Sequence, residues 1–310
     1  MLLVQSSRLP TFNRALRSFS KIIKMITTVN FHLTKACNYT CKFCYATFND
    51  INVKGISKTE QFEIIQLLAE SKKFKKINFA GGEPTLIPHI SELIKFAKVL
   101  GFETSIVTNA SKIDFQWVAE NSKYLDILAL SIDSASDEIN SAIGRSQKLI
   151  TIDVEKLKSI ANACHLFGVN LKINTVVCQF NKTDQLVDLI NELNPYRWKI
   201  LQATKVEGQN EEQFDTIKVS SLEFNEYIDV NKVKLSLSIK LVKEDNNIIQ
   251  GSYLMVDMLG RFFFFAQMKH NYSDPILKIG VEKALKFISI NEDKFNLREG
   301  NYSFIKKIAS

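Results

Sequence analysis

Three cysteines near the start of the chain are the residues best suited to chemistry. Cys37, Cys41 and Cys44 are spaced CxxxCxxC, directly after an apolar segment. A structural zinc site usually takes four ligands, often as two separated pairs, and no fourth cysteine lies nearby. Three thiolates from one loop suit a [4Fe–4S] cluster with one iron left open, because cysteine thiolates hold such clusters. Three thiols without a role would be an oxidation liability, so the spacing predicts a cluster site.

A second motif follows some forty residues later, at Gly81-Gly82-Glu83-Pro84. The chain has only 11 glycines and 5 prolines, so their concentration here is a strong signal of a special backbone. Glycines permit close backbone approach, and the carboxylate is a hydrogen-bond acceptor. The remaining cysteines, Cys164 and Cys178, fall in a predicted helix and at a predicted strand end, and we expect both to be small core residues.

The elements that must position these motifs alternate between strand and helix. Six strand patterns separated by five helical patterns favour a parallel sheet with right-handed crossovers. Asp153 is a plausible N-cap of the fourth helix, and Gly168 is a plausible glycine after its end. Periodicity leaves open whether the sheet closes into a barrel. Strands are predicted at 29–33, 76–79, 104–108, 127–132, 169–177 and 198–201, and helices at 59–71, 89–100, 115–120, 154–167 and 182–193.

The two ends of the chain differ from this middle part. Residues 1–24 are basic with scattered apolar positions, typical of a weakly ordered extension or of an amphipathic helix on a membrane surface. From residue 205 the alternation breaks, with helices expected at 222–228 and 281–287 and strands at 253–256 and 262–265. The predicted division is therefore 1–24, 25–204 and 205–310.

The composition is that of an ordinary globular protein. The 310 residues are 45% apolar and 24% charged, with a net charge of +7. No apolar run approaches the ~18 residues that span a bilayer. Five cysteines do not make a disulfide scaffold. We therefore expect a cytoplasmic protein without a membrane partner and without direct binding to nucleic acid.

Polar side chains recur at alternate positions of the predicted strands. Residues two apart share one face of a strand. Fully buried strands normally read as continuous apolar runs, and buried cations need anionic partners. Only Glu83, Asp126 and Asp133 flank these strands, which favours an external polyanion such as a nucleoside triphosphate over solvated strand ends or salt bridges. The pairs are Asn30 with His32, Lys76 with Asn78, Lys172 with Asn174, and Arg197 with Lys199.

The cysteine motif, with Phe43 before its last cysteine, and the Gly-Gly-Glu-Pro motif together resemble the radical S-adenosylmethionine (SAM) enzymes. Longer stretches resemble one family among them, the viperins, antiviral nucleotide dehydratases with prokaryotic members. The resemblance runs from about residue 28 to 300 and includes VNFHLTKACNYTCKFC, KKINFAGGEPTL, LKINTVV, NPYRWKILQ and IGVEKALKF. It implies a partial (β/α)6 barrel with a C-terminal α+β extension, a [4Fe–4S] cluster and SAM.

The resemblance also implies a reaction. In that family the reduced cluster cleaves SAM to a 5′-deoxyadenosyl radical, which removes the 4′ hydrogen of a ribonucleoside triphosphate. The 3′ hydroxyl leaves as water, and one electron with one proton completes a 3′-deoxy-3′,4′-didehydro nucleotide. Because this product has no 3′ hydroxyl, it would terminate chains in antiviral defence. The reaction needs an electron donor, such as a flavodoxin or a ferredoxin.

Carried over by position, the family's functional residues fall on three groups in this chain. Tyr253 matches the tyrosine proposed to deliver the closing hydrogen atom. The SAM contacts match Phe43, Gly81, Gly82, Glu83, Asn109, Ser131 and Arg145, and the substrate contacts match Lys76, Lys172, Asn174, Arg197, Lys199 and Arg298. The chain departs from the animal members at Ala80 and Ser273 and in CYATF after the cluster motif. These changes put the base preference and the triphosphate contacts in doubt.

Two other functions remain open on the sequence. Many peptide-modifying radical SAM enzymes carry extra cysteines for auxiliary clusters in their C-terminal parts, and no cysteine follows Cys178 here. A glycyl-radical activase would not explain the basic strands. A non-enzymatic nucleotide-binding defence scaffold would need no cluster with an open iron.

Overall fold

Seven parallel strands lie side by side in chain order. The computed structural model describes residues 27–300, so the expectations for residues 1–24 lie outside the described part of the chain. The strands are β1 (Thr28–His32), β2 (Lys76–Ala80), β3 (Glu103–Thr108), β4 (Ile127–Ser131), β5 (Asn170–Val177), β6 (Arg197–Gln202) and β7 (Lys240–Glu244). Consecutive parallel strands joined by helices place all carboxyl ends at one rim.

Three further strands continue the sheet beyond β1. They are β8 (Met255–Val256), β9 (Arg261–Ala266) and β10 (Lys269–Pro275), in the order β10-β9-β8-β1. β8 pairs with β1 in parallel, whereas β9 and β10 are antiparallel to their neighbours. The C-terminal part of the chain therefore completes the sheet at the strand that carries the cysteine loop. The sheet remains open, because β7 and β10 are its two edges.

The crossover helices cover one face of the parallel strands. Several begin at side-chain caps, including Ser57 and Ser220, which form capping boxes, and Asp153, which accepts from the Glu155 amide. The helices are α1 (Lys58–Glu70), α2 (Ile90–Val99), α3 (Phe115–Asn121), α4 (Asp137–Ile143), α5 (Val154–Leu166), α6 (Val187–Leu193), α7 (Glu211–Ile217), α8 (Ser221–Lys232), α9 (Asn246–Ile249), α10 (Ile276–Ile279), α11 (Val281–Leu285) and α12 (Glu292–Leu297).

Strand alternation divides apolar from polar side chains as the sequence predicts. Phe31, Ile77, Ile173 and Trp198 belong to the helix-covered core and are completely buried. The residues between them face the other way, into the interior of the curved sheet. This leaves room for a polar cavity inside a fold whose stability comes from the helix-covered face.

The predicted six strands and five helices are all present, with bounds that differ by a few residues except at α6, which begins five residues later than predicted. The sequence misses β7 and β10 and the helices α4, α7, α9, α10 and α12. In β7, Lys240 and Lys243 are exposed and only Val242 and Glu244 are buried, so this edge strand has no apolar run. The parallel pattern thus continues past residue 204, and the division at that point stays a prediction. Cys164 and Cys178 are buried core residues, as predicted.

Between Thr27 and Gly300, no helix combines the length and the apolar character needed to cross a membrane.

Candidate active site

A cavity of about 260 Å³ opens at the carboxyl ends of the parallel strands. In open parallel sheets this rim is where ligands bind. The three cysteines line one part of its wall, Lys172 and Lys199 another, and a group of aromatic and apolar side chains a third. Of the other residues assigned by resemblance, Phe43, Gly81, Gly82, Glu83, Asn109, Ser131, Arg145, Asn174 and Tyr253 also line it.

The cysteine loop is held by backbone hydrogen bonds from two neighbouring segments. The amides of Gly82 and Glu83 donate to carbonyls of the loop, at 2.6 and 2.8 Å. Gly144 accepts from the Thr40 amide at 3.0 Å from the opposite side. A Cβ at position 82 would come within 2.2 Å of the Ala36 oxygen, so only glycine permits this contact. The Gly-Gly motif therefore packs against the loop that carries the thiols.

The three thiols suit a polynuclear cluster better than a single metal ion. Cys37 is exposed, whereas Cys41 and Cys44 are partly buried. Among the described residues, no three His, Cys, Asp or Glu side chains converge closely enough to hold one ion. A [4Fe–4S] cluster has no such requirement, because each thiolate binds a different iron. Burial raises the pKa of all three thiols, that of Cys41 to about 12, so binding a cluster must release their protons.

Glu83 is a buried carboxylate surrounded by uncharged donors. Its oxygens accept from the hydroxyls of Thr85 and Thr108 at 2.5 and 2.6 Å and from the Asn109 amide at 2.7 Å. None of the ion pairs formed within residues 27–300 involves Glu83. A buried carboxylate without a cation attracts a positively charged ligand group, such as the amino group of SAM.

Arg145 supports the cavity wall on the other side of the cysteine loop. Its guanidinium donates to Asp133, and both side chains are buried. Burial favours the neutral form of the guanidinium, but the Asp133 carboxylate outweighs this and raises the pKa of Arg145 further. The guanidinium carbon lies 5.6 Å from the centre of the Phe43 ring. Arg145 thus carries a permanent positive charge beside Cys41, where it opposes the rise in the thiol pKa.

Lys172 and Lys199 form the cationic part of the wall. Burial lowers the pKa of each to about 7, and nearby cations add to the effect. For Lys199 the Glu244 carboxylate, 2.7 Å away, opposes this fall. Burial would raise the pKa of Glu244, but Lys199 and Arg298 hold it below its ordinary value. The two lysines therefore gain charge most readily when an anion enters the cavity.

Three predicted substrate residues lie behind this wall rather than on it. Lys76 pairs with Glu103 at 2.8 Å, and Arg197 pairs with Glu299 at 3.1 Å. Arg298 donates to the Ser252 carbonyl. The sequence-based count of carboxylates was wrong, because it omitted Glu103, Glu244 and Glu299. Salt bridges within the chain thus satisfy part of the charge that we expected an external polyanion to balance.

Tyr253 connects the cationic wall to this internal network. It precedes β8 rather than lying within it. Its hydroxyl donates to Glu244 and accepts from Lys199, while the Arg298 guanidinium stacks 3.8 Å from the centre of its ring. Burial and the Glu244 charge raise the pKa of Tyr253 well above its usual value. The phenol therefore keeps its proton at the cavity wall.

The aromatic part of the wall was not predicted to be functional. His32 is buried among Tyr45, Phe48 and Phe263, and neither of its ring nitrogens has a hydrogen-bond partner. Burial and the neighbouring His270 lower its pKa to about 3, so the imidazole is neutral. The sequence signal that could have identified His32 as a cavity residue was strand alternation, which places it on the inner face of β1.

Only some of the residues that differ from the animal viperins lie at the cavity. Tyr45, Ala46 and Ala80 line the wall. Ser273 does not, because its hydroxyl accepts from the Phe262 amide inside the C-terminal hairpin. Ser273 therefore supports the hairpin rather than the cavity wall. Phe265, at the end of the strand predicted at 262–265, also reaches the wall.

Comparison with known proteins identifies relatives at the level of sequence. Residues 31–217 match the model of the radical SAM superfamily. The chain is 43% identical over 285 residues to an S-adenosylmethionine-dependent nucleotide dehydratase of Flammeovirga pacifica, covering 90% of this chain and 97% of that one. A protein of the same name from Lacinutrix mariniflava is 42% identical over 92% of this chain and 60% of its own length. One from the fish Siniperca chuatsi, named RSAD2, is 36% identical over 90% of this chain and 80% of that one.

Comparison of structures supports the fold. The anSMEcpe structure with bound AdoMet and a peptide has a TM-score of 0.62 at 12% identity, covering 86% of this chain and 83% of that one. Streptococcus suis SuiB bound to S-adenosylmethionine has a TM-score of 0.58 at 17% identity, covering 81% of this chain and 64% of that one.

We predict that Gly144→Ala disrupts cluster assembly. Gly144 has φ +86°, and an added Cβ would lie 2.4 Å from the Thr40 oxygen in the cysteine loop. Gly101→Ala is the matched control, because Gly101 has φ +93° but nothing within 4 Å of the added atom. Anaerobic reconstitution followed by iron analysis and absorption spectroscopy should show loss of iron for Gly144→Ala alone. Equal iron content in the two variants would contradict the prediction.

Proposed function

Since the chain belongs to the radical SAM superfamily and, within it, to the viperin family of S-adenosylmethionine-dependent nucleotide dehydratases, we propose that it converts a ribonucleoside triphosphate to the 3′-deoxy-3′,4′-didehydro analogue. The protein is an enzyme that uses a [4Fe–4S] cluster and SAM. The prediction of an enzyme rather than a binding scaffold is thereby confirmed.

One observation carries the choice of a triphosphate. Lys172 and Lys199 are buried at the cavity wall with pKa values near 7, beside Asn174, whose side-chain oxygen has no hydrogen-bond partner. Burial favours the neutral form of both lysines, and an anion that enters the cavity stabilises their charged form. Lys76, Arg197 and Arg298 stand behind them and add positive potential. A polyphosphate carries the negative charge that such a wall attracts.

The cofactors would occupy the opposite part of the cavity. Cys37, Cys41 and Cys44 would hold the cluster, and Glu83 would bind the SAM amino group. When bound, the cluster and SAM together supply the carbon radical that removes a hydrogen atom from the substrate. Phe43, Gly81, Gly82, Asn109, Ser131 and Arg145 complete the proposed SAM contacts.

The proposed reaction balances as follows. The substrate loses the hydrogen atom at C4′, and the C3′–O bond breaks with departure of hydroxide. Tyr253 would deliver one hydrogen atom, whose electron completes the C3′=C4′ double bond and whose proton converts the hydroxide to water. Its phenol is protonated and lies between Lys199 and Glu244. One electron from the carrier and one proton from solvent would restore the tyrosine afterwards.

The product would lack the 3′ hydroxyl that a polymerase extends. It would therefore act as a chain terminator, which suits a role in antiviral defence. The carrier that supplies electrons would be a flavodoxin or a ferredoxin.

The substrate is tested by incubating the reconstituted protein anaerobically with SAM, dithionite and each of ATP, GTP, CTP and UTP. We expect one nucleotide to yield 5′-deoxyadenosine and, in equal amount, a nucleotide lighter by one water, detected by mass spectrometry. Cys37→Ala should abolish both products, because it removes a cluster ligand. If the intact cluster gives only background 5′-deoxyadenosine with all four nucleotides, the triphosphate proposal fails.

The role of Tyr253 is tested by Tyr253→Phe. The variant retains the ring on which Arg298 stacks but loses the transferable hydrogen. We expect 5′-deoxyadenosine still to form while the dehydrated nucleotide falls by at least about tenfold, a barrier change of about 1.4 kcal/mol. Tyr45→Phe is the matched control, since Tyr45 also lines the cavity. Equal yields of both products from Tyr253→Phe would exclude the hydrogen-transfer role.

Triphosphate affinity should fall as pH rises. The pKa values of Lys172 and Lys199 are lowered to about 7, so both lose their charge above that pH, and binding a triphosphate must return the protons. The dissociation constant should rise by up to about tenfold per pH unit for each lysine that must be recharged. Calorimetry of the SAM-loaded, unreduced enzyme between about pH 7 and pH 9 measures this. Lys172→Arg keeps its charge and should flatten the rise; a flat wild-type profile would contradict the prediction.

A further inference from the structure

Glu244 is a buried carboxylate at the end of an edge strand. In β7 the side chains of Lys240 and Lys243 are exposed, whereas Glu244 is completely buried. The register pairs Glu244 with Leu201 of β6, which lines the cavity, so the carboxylate faces the inside of the sheet. A buried charge is costly unless cations and hydrogen-bond donors surround it. What Glu244 does therefore depends on the groups that contact it.

Two cations and a phenol surround this carboxylate. One of its oxygens lies 2.7 Å from the Lys199 ammonium and 4.0 Å from the Arg298 guanidinium. The other oxygen accepts a hydrogen bond from the Tyr253 hydroxyl. Burial favours the protonated form, but Lys199 and Arg298 outweigh it and hold the pKa of Glu244 below its ordinary value. The carboxylate is therefore ionised and can only accept hydrogen bonds.

These contacts fix the direction of the O–H bond of Tyr253. A carboxylate only accepts and an ammonium only donates, so the phenol donates to Glu244 and accepts from Lys199. Tyr253 and Lys199 line the cavity, and Glu244 lies behind them. The hydrogen that Tyr253 is proposed to give up thus points at Glu244 rather than at a bound sugar. Direct transfer of that hydrogen to the substrate side would first require this hydrogen bond to break.

We propose that Glu244 takes the proton of Tyr253 while the electron passes to the substrate, and that Lys199 passes a proton on to the leaving hydroxide. The proposal rests on the proposed function, because it concerns the closing step of that reaction. The O–H bond of Tyr253 breaks, its electron completes the C3′=C4′ double bond, and its proton binds Glu244. The Lys199 ammonium gives a proton to the hydroxide, which leaves as water, and Lys199 regains a proton from Glu244. In total the tyrosine has lost one hydrogen atom.

The surroundings of the phenol favour this separation of proton and electron. Burial and the Glu244 charge raise the pKa of Tyr253 well above its usual value, so the phenol keeps its proton until its electron leaves. Burial lowers the pKa of Lys199 to about 7, which suits a group that gives and regains a proton near neutral pH. Both proton transfers use contacts that already exist, so no side chain has to move. Glu244 acts through Tyr253 and Lys199 and is therefore a positioning residue and proton acceptor.

The test replaces the carboxylate with its amide. Glu244→Gln keeps the shape of the side chain and an oxygen that accepts from Tyr253, but it cannot take up the proton. We expect 5′-deoxyadenosine to form as in the wild type, while the dehydrated nucleotide falls by at least about tenfold. Glu244→Asp keeps a carboxylate and should recover part of the yield. Asp257→Asn is the matched control, because Asp257 is also a completely buried carboxylate but pairs with Arg261, and it should leave the ratio of the two products unchanged.

Further measurements separate proton transfer from support of the cavity wall. Loss of a negative charge beside Lys199 should leave the iron content unchanged and the affinity for the triphosphate, measured by calorimetry, equal to that of the wild type or higher. Electron paramagnetic resonance of samples frozen during turnover should show a sugar radical accumulating in Glu244→Gln, as in Tyr253→Phe. Lys199→Arg keeps the charge but holds its proton, so it should also form 5′-deoxyadenosine without the dehydrated nucleotide.

Three results would overturn the proposal. An unchanged ratio of the two products in Glu244→Gln would show that the closing step does not use the carboxylate. A normal nucleotide yield from Lys199→Arg would exclude the passage of a proton through Lys199. Joint loss of the nucleotide product, iron and triphosphate binding in Glu244→Gln would show that Glu244 only supports the wall. Failure of the proposed function is distinguishable, because the wild type itself would then yield no dehydrated nucleotide.

Discussion

Side chains two positions apart on a strand face the same way, and the whole site depends on this constraint. In β2, β5 and β6 one set of alternating side chains meets the helices as Ile77, Ile173 and Trp198 and excludes water completely. The other set is thereby directed inward, polar or charged, without disturbing the core. Carboxylates from other parts of the chain pair with these cations and offset the free-energy cost of burying them. The fold thus separates the face that stabilises it from the face that binds.

A structural feature could be predicted from the sequence when the residues that form it lie close together in the chain. The cysteine loop, the Gly-Gly motif and the inner face of each strand depend on neighbours a few residues apart, and their positions were predicted. The partner of Lys199 was not, because Glu244 lies 45 positions away on an edge strand with no apolar run. The same holds for the aromatic surroundings of His32, which combine the cysteine loop with the C-terminal hairpin. Contacts distant in sequence leave no periodic signal.

The cavity is divided by electrostatics as much as by shape. Glu83 provides a negative site near the thiols, and Lys172 and Lys199 provide a positive site whose charge depends on what is bound. Apolar and aromatic side chains form another part of the cavity wall, and they lengthen the reach of both fields. Tyr253 stands where the positive site meets the internal salt bridges, so any change in the charge of Lys199 or Glu244 is felt at its hydroxyl. Binding of an anion and the state of the phenol are therefore physically coupled.

The pairing of β1 with β8 has a consequence for the order in which the protein is made. The Asn30 side chain bonds to the Leu254 carbonyl across 224 positions of sequence. During synthesis, the strand that carries the cysteine loop therefore leaves the ribosome more than two hundred residues before its neighbour on that side. Until then the edge of β1 is uncovered and the thiols face open solvent. The nascent enzyme thus passes through a long interval in which its iron-binding loop is accessible to the machinery that delivers clusters and equally to oxidants.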